Sequence, residues 1–262
     1  MKQFLFLLSV MPLVLFSCNP DEDDYEVWGC MDPEAVNFNP EATIDDGSCV
    51  NGPAECGGVS TVTFDGYTYE LVAIGGQCWF AENLRTEHYT NGDAIPGELS
   101  DGEWENTTEG AQAVYDNDAS SLADYGRLYN WYAVEDVRGL CPTGWHVPTD
   151  GEYMTLEMSF GMSESQANSW GWRGYVQGTL MKSSPSDDPS WDGTNTMDFS
   201  ALGGGYRDYY GNFWDGGDSE FFWSSTSYDS NALARGLNTG YTVVRRGHDD
   251  RRSGFSVRCV RD

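Results

Sequence analysis

The cysteines constrain this chain more than any other residue type. Seven occur in 262 residues, at positions 18, 30, 49, 56, 78, 141 and 259. The first closes an apolar leader: Lys2 gives a positive start, residues 4–16 are apolar apart from Ser9 and Pro12, and small Ser17 precedes Cys18. The leader is too short for a permanent membrane span, and its three parts describe a secretory signal over residues 1–17. An exported chain matures where thiols oxidise, so the six later cysteines are expected in disulfides, although six allow fifteen pairings. The preferred set joins Cys30 to Cys49, Cys56 to Cys78 and Cys141 to Cys259. The first two close short loops, and the third ties the middle of the main domain to its end. No CxxC or HExxH is present, and His88, His146 and His248 lie far apart in sequence, so no zinc site is indicated.

Leu15-Phe16-Ser17-Cys18 resembles a bacterial lipobox, which implies a diacylglycerol on the sulfur of Cys18 and a mature chain beginning there. Residues 18–28 then form an acidic tether. Its Asn19-Pro20-Asp21-Glu22-Asp23-Asp24 reads either as a solvated spacer or as one of the acidic signals that send lipoproteins of the Bacteroidetes type to the outer face of the outer membrane. The expected location is the outer membrane facing the exterior, with the periplasmic face as the alternative.

Charge excludes whole classes of partner. The chain carries 42 Asp+Glu against 14 Lys+Arg, a net charge of −28, which disfavours nucleic acid and anionic lipid surfaces. Residues 19–126 hold 24 acids and one base, Arg85, whereas residues 235–262 hold seven Arg against three Asp. Arg245, Arg246, Arg251 and Arg252 either form an anion-binding face or, the favoured reading, neutralise the acidic part of the same domain. Ten Trp, fifteen Tyr and twelve Phe supply ample area for a core.

Residues 29–50 form a small Cys-bounded acidic module with too little apolar content to fold by burial alone. It resembles short modules of Bacteroidetes surface proteins. Asp32, Asn37, Asn39, Asp45 and Asp46 are hard oxygen donors suited to calcium, although their spacing is not that of an EF-hand and turns need the same residues.

The main domain, residues 57–262, is expected to be α+β, with few helices and short antiparallel strands. Thr61–Phe64, Asp65-Gly66 and the run from Tyr67 to Val72 read as a hairpin, and Cys78-Trp79-Phe80 as a buried strand. A polar excursion is expected from Glu87 to Asp118, and an amphipathic helix over 122–135. Thr149 with Glu152, and Ser163 with Gln166, are capping boxes that start two more helices. Strands are expected at 221–226, 232–238, 241–246 and 254–260.

Six motifs in order resemble the Fibrobacter succinogenes major paralogous domain family. They are residues 76–84 (GQCWFAENL), 125–132 (YGRLYNWY), 141–149 (CPTGWHVPT), 199–207 (FSALGGGYR), 222–226 (FWSST) and 256–261 (SVRCVR). The resemblance implies a C-type-lectin-like fold, as in formylglycine-generating enzymes, with its final strand beside the first. It also supports the Cys141–Cys259 pairing and implies an exported lipoprotein.

No enzymatic activity is expected. A formylglycine-generating oxidase needs a late pair of copper-binding cysteines, and residues 203–223 contain none. The Glu-Pro-Asn, Gln-Pro-Asp and Trp-Asn-Asp triplets of calcium-dependent lectins do not occur. Asp187, Asp188 and Asp192, or Asp215, Asp218 and Glu220, remain as candidate structural calcium ligands, with solvated acidic loops the favoured alternative. Among the aromatics Tyr206, Tyr209, Tyr210, Phe213, Trp214, Phe221, Phe222 and Trp223, the last two are expected in the core. Tyr209, Tyr210 and Trp214 sit among Gly and Asp, so they are the candidate surface for a glycan or protein ligand. The expected function is recognition or adhesion, with a structural envelope lipoprotein as the alternative.

Overall fold

A computed structural model describes residues 26–31, 39–45 and 56–262. The leader, Cys18, and Asp32, Asn37, Asp46 and Cys49 lie outside them. In the small module, Trp28–Gly29 pairs in parallel with Ile44–Asp45, and Cys30 is buried and disulfide-bonded. Asn39 Oδ1 accepts the Glu41 N–H at 3.0 Å, which is the turn-forming use of an asparagine.

The fold is mixed and sheet-rich, with few helices. The first sheet runs Thr61–Phe64, Tyr67–Ile74, Gln77–Phe80, Val260–Arg261, Trp145–His146. Asp65 and Gly66, at φ 48° and 77°, make the hairpin turn that suits strand twist. Cys78, Trp79 and Phe80 are buried as expected. Val260 pairs with Trp79 on one side and His146 on the other, so the chain's end is inserted between early and middle segments. Disulfides Cys56–Cys78 and Cys141–Cys259 brace this arrangement, the second spanning 118 residues. In the chain-entropy view, closing a loop of that size stabilises the fold by about 4–5 kcal/mol.

The second sheet is antiparallel and runs Ser219–Tyr228, Asn231–Asn238, Val244–Asp250, Gly171–Arg173. Side chains alternate across it. Trp223 joins one hydrophobic core with Tyr69, Phe80, Tyr129 and Phe255, while its neighbour Phe222 joins another with Trp79, Tyr153, Phe199 and Leu237.

Three sequence expectations need correction. Residues 122–135 are two short helices, Leu122–Tyr125 and Trp131–Val134, separated by the strand Leu128–Tyr129. Gly126 breaks the helix at φ 72°, packed so closely that a Cβ would lie 2.9 Å from the Leu84 carbonyl oxygen. The helical spacing of aromatics therefore comes from pieces that each bury a ring. Residues 87–118 are not merely a surface excursion, because Tyr89, Ile95, Trp104, Ala111 and Ala113 are buried. A third capping box, Ser100 with Glu103, starts the helix Asp101–Asn106 that carries Trp104. Finally, residues 254–260 are threaded rather than a continuous strand. Gly254, Phe255 and Ser256 make single bridges to Arg207, Tyr129 and Phe222 before Val260 enters the first sheet. The capping boxes at Thr149 and Ser163 start the helices Asp150–Ser159 and Glu164–Ala167, as read.

Candidate functional site

The loop carrying Tyr209, Tyr210 and Trp214 is held by one carboxylate. Asp208 Oδ1 accepts the Tyr210 and Asn212 N–H groups, both at 2.9 Å, and Oδ2 accepts Trp214 Nε1–H at 2.8 Å. These donors hold the Asp208 carboxyl below its usual range although its partial burial works the other way. Beneath the loop, fully buried Arg207 donates from Nε to the Gly211 carbonyl at 2.7 Å and lies over the rings of Trp104 and Phe213. Gly211 is required here, since a Cβ would lie 2.5 Å from Asp101 Cα. Tyr210 and Trp214 are half exposed, at 51% and 50%. Tyr209 is half-buried, 4.1 Å from Tyr210 between ring centroids, with the Arg252 guanidinium 5.2 Å from its ring. Phe222 and Trp223 are core, as read.

The fixed loop forms one side of a cleft of about 390 Å³. Its floor is the open face of the second sheet, where register sets Phe221, Gly236, Arg245 and Trp172 in one row across four strands. A Cβ on Gly236 would lie 2.9 Å from the Phe221 ring, so glycine is what lets that ring lie flat. Phe221 stacks on Phe255 at 5.0 Å and meets Tyr206 edge-on at 5.1 Å. Trp172 forms the opposite wall, 40% exposed and braced by Tyr241 at 4.8 Å.

The polar lining contains Asp208, Asp215, Asp249, Asn238 and Arg245. Arg245 Nη1 donates to Asp249 Oδ2 at 2.8 Å, but burial still holds the Asp249 carboxyl above its usual range. Asn238 Oδ1 is buried without a donor, an arrangement that costs about 1–3 kcal/mol unless something fills it. The Tyr206 hydroxyl is pushed up by burial and then by the negative charges of Asp215, Asp208 and Asp249.

Of the expected ligand surface Tyr209, Tyr210 and Trp214, Tyr209 lines the cleft and the other two do not, and Trp172, Asn238 and Phe255 were missed. The available signal was Trp170-Gly171-Trp172, two large aromatics around a glycine in an otherwise polar segment.

The other candidates do not converge. Asp187 accepts from Ser184 and Asn195, Asp192 pairs with Lys182, and Glu220 turns inward, away from exposed Asp215. No group of three or more His, Cys, Asp or Glu among the described residues is placed to hold a metal ion. His88 contacts Asp65, His146 lies between Glu152 and Asp262, and His248 contacts Asn231. A larger cavity of about 790 Å³ lies beside residues 94–98 and 112–119. In its lining Arg127 is bound to Glu87 and Gln112, and no Trp, Tyr or Phe lines it.

The favoured reading of the basic carboxy-terminal segment holds in kind, with a different set of partners. Arg245, Arg246, Arg251 and Arg252 pair with Asp249, Asp150, Glu135 and Asp250. These acids lie in residues 135–250, not in the strongly acidic 19–126.

The family model for the Fibrobacter succinogenes major domain matches residues 72–261, which take in all six motifs, the second sheet, the Cys141–Cys259 disulfide and the cleft. The chain belongs to this family. In the major domain, three of the motifs meet around the buried Glu220. Asn83 Nδ2 donates to Glu220 Oε1 at 3.0 Å, and Gly204 N–H to Oε2 at 2.8 Å. Arg258 Nε donates to Asn83 Oδ1 at 2.9 Å, and its Nη1 to the Phe199 carbonyl. The major-domain motifs thus include a polar knot as well as aromatic core. No curated protein and no solved structure matches the chain. Among the described residues, no helix is long and apolar enough to cross a membrane.

Proposed function

We propose that this is a cell-surface lipoprotein, anchored through Cys18 on the outer membrane, whose C-type-lectin-like domain binds a glycan without catalysis. The observation that carries the reading is the cleft: five aromatic rings around polar groups, with its loop held in place before any ligand arrives. Aromatic faces stack on sugar rings with little entropy loss, and pre-organisation lowers the cost of binding. A volume of about 390 Å³ falls in the range of small-molecule sites. The last strand returns to the sheet of the first strand, as the lectin-like reading expects, but pairs there with Gln77–Phe80 and Trp145–His146 rather than with Thr61–Phe64. The non-catalytic reading rests on the separate partners of the three histidines, none of which lines the cleft.

A glycan array tests the reading. Trp172→Ala and Tyr209→Ala are each expected to weaken the bound glycan by about 30-fold, the effect of removing an aromatic anchor worth about 2 kcal/mol. Retained affinity in both variants removes the cleft from the function, and silence across glycans favours a structural envelope role. Palmitate labelling that persists in Cys18→Ser would remove the anchor.

A further inference from the structure

Resting on that reading, the chemistry of the cleft narrows its ligand: we infer that the glycan carries a protonated amine. Charges, donors and acceptors in the cleft do not balance. Three carboxylates line the cleft against one guanidinium. Asp208 is occupied by its own loop, through Tyr210, Asn212 and Trp214, and Asp249 by Arg245. Asp215 remains exposed, its carboxylate touched only by the Ser219 hydroxyl at 3.4 Å. The unmet need is for N–H or O–H donors, and for positive charge.

The walls point the same way. The faces of Trp, Tyr and Phe attract cations, and an ammonium presents three donors on a compact charge. Tyr206, at which Asp215, Asp208 and Asp249 all act, lies in a negative field that opposes an anionic sugar. A lysine side chain could meet the acceptors but would leave most of the aromatic surface wet. A pyranose ring with a free amine uses both. The cleft therefore favours a deacetylated amino sugar over its acetylated form, which has lost the charge.

Titration calorimetry on the full-length protein in detergent, using three trisaccharides, tests this. Deacetylated chitotriose is expected to bind about tenfold or more tighter than chitotriose and a neutral glucose trisaccharide. Asp215→Asn is expected to remove most of that preference by weakening deacetylated chitotriose about tenfold. The substitution is at an exposed position whose φ of 57° asparagine adopts readily. Equal or tighter binding of the acetylated or neutral sugar overturns the inference and leaves the glycan-binding reading standing. Failure of all three to bind counts against both. Tighter binding of trilysine than of any sugar assigns the amine to a protein and overturns the glycan source.

Discussion

Two polar clusters occupy opposite faces of the same four-stranded sheet, and their arithmetic is inverted. On the covered face, Asp150 and Glu157 meet Arg173, Arg235 and Arg246, all at most 8% exposed. Arg235 bridges the two acids at 2.7 and 2.8 Å, and Arg246 binds Asp150 at 2.7 and 3.0 Å. The extra guanidinium donors go to the carbonyls of Val244 and Asn168. On the open face, the cleft has three carboxylates, one guanidinium and an amide oxygen without a donor. Arg245 and Arg246 are adjacent in sequence and belong to different clusters, because side chains alternate across a strand. Where water is excluded, three guanidiniums outnumber two carboxylates and the surplus donors still find backbone acceptors. Where the sheet stays open, acceptors are left over, which is the condition for holding a ligand.

The largest test of this contrast removes a carboxylate from the covered face. Glu157→Ala leaves Arg173 and Arg235 buried without their shared partner, and the expected loss is about 3–5 kcal/mol in urea unfolding. A loss under about 1 kcal/mol would show that water already reaches the cluster and would break the comparison.

A second test uses pH, because the sheet's covered face also carries Glu220. Burial pushes this fully buried carboxyl up to about 7, against hydrogen bonds from Ser256, Gly204 and Asn83 that favour the charged form. Its folded value lies above the unfolded value of 4.5, so the native state binds the extra proton. That contribution is complete below about pH 4.5 and is lost as pH rises through about 7. Its size is about 3 kcal/mol. Asp150 has the opposite sign. Although burial raises its carboxyl, Arg246 and Arg235 hold it below the ordinary 3.8, so its contribution is present above that value and lost as pH falls through the lower folded one. Glu220→Gln is expected to flatten the stability profile between pH 4.5 and 7 and leave the acid limb in place. An unchanged profile would mean that Glu220 ionises freely.

How much of this was legible in the sequence depends on whether a signal is local. The hairpin at Asp65-Gly66, the capping boxes at Thr149 and Ser163, and the strand at Cys78–Phe80 follow from neighbouring residues alone, and the structure has them. Six motifs in order were enough to identify the family, and Cys56–Cys78 and Cys141–Cys259 form as preferred. The helix over 122–135 failed because Gly126 answers to packing against Leu84, a contact distant in sequence. Of the three aromatics singled out among Gly and Asp, Tyr209 lines the cleft and Tyr210 and Trp214 do not. Trp172 was not visible, because it reaches the cleft only through pairing with Arg245. Asn238 is polar and unexceptional until its oxygen is seen to lack a donor.

The smallest test concerns an arginine that sequence grouped with Arg246. Arg252 binds Asp250 through two bonds, at 2.7 and 2.9 Å, and both side chains are about one-third exposed, 31% and 34%. Hydrogen bonding to Asp250 raises the Arg252 guanidinium, yet solvent screens an exposed pair. Arg252→Ala is therefore expected to change stability by less than about 1 kcal/mol, and by less still in high salt. Its guanidinium also lies over the Tyr209 ring, so the same variant should reduce glycan affinity through a loosened cleft wall while barely moving the unfolding midpoint. A stability loss comparable to that of Glu157→Ala would mean that bond geometry outweighs water exclusion in deciding which charges hold this fold.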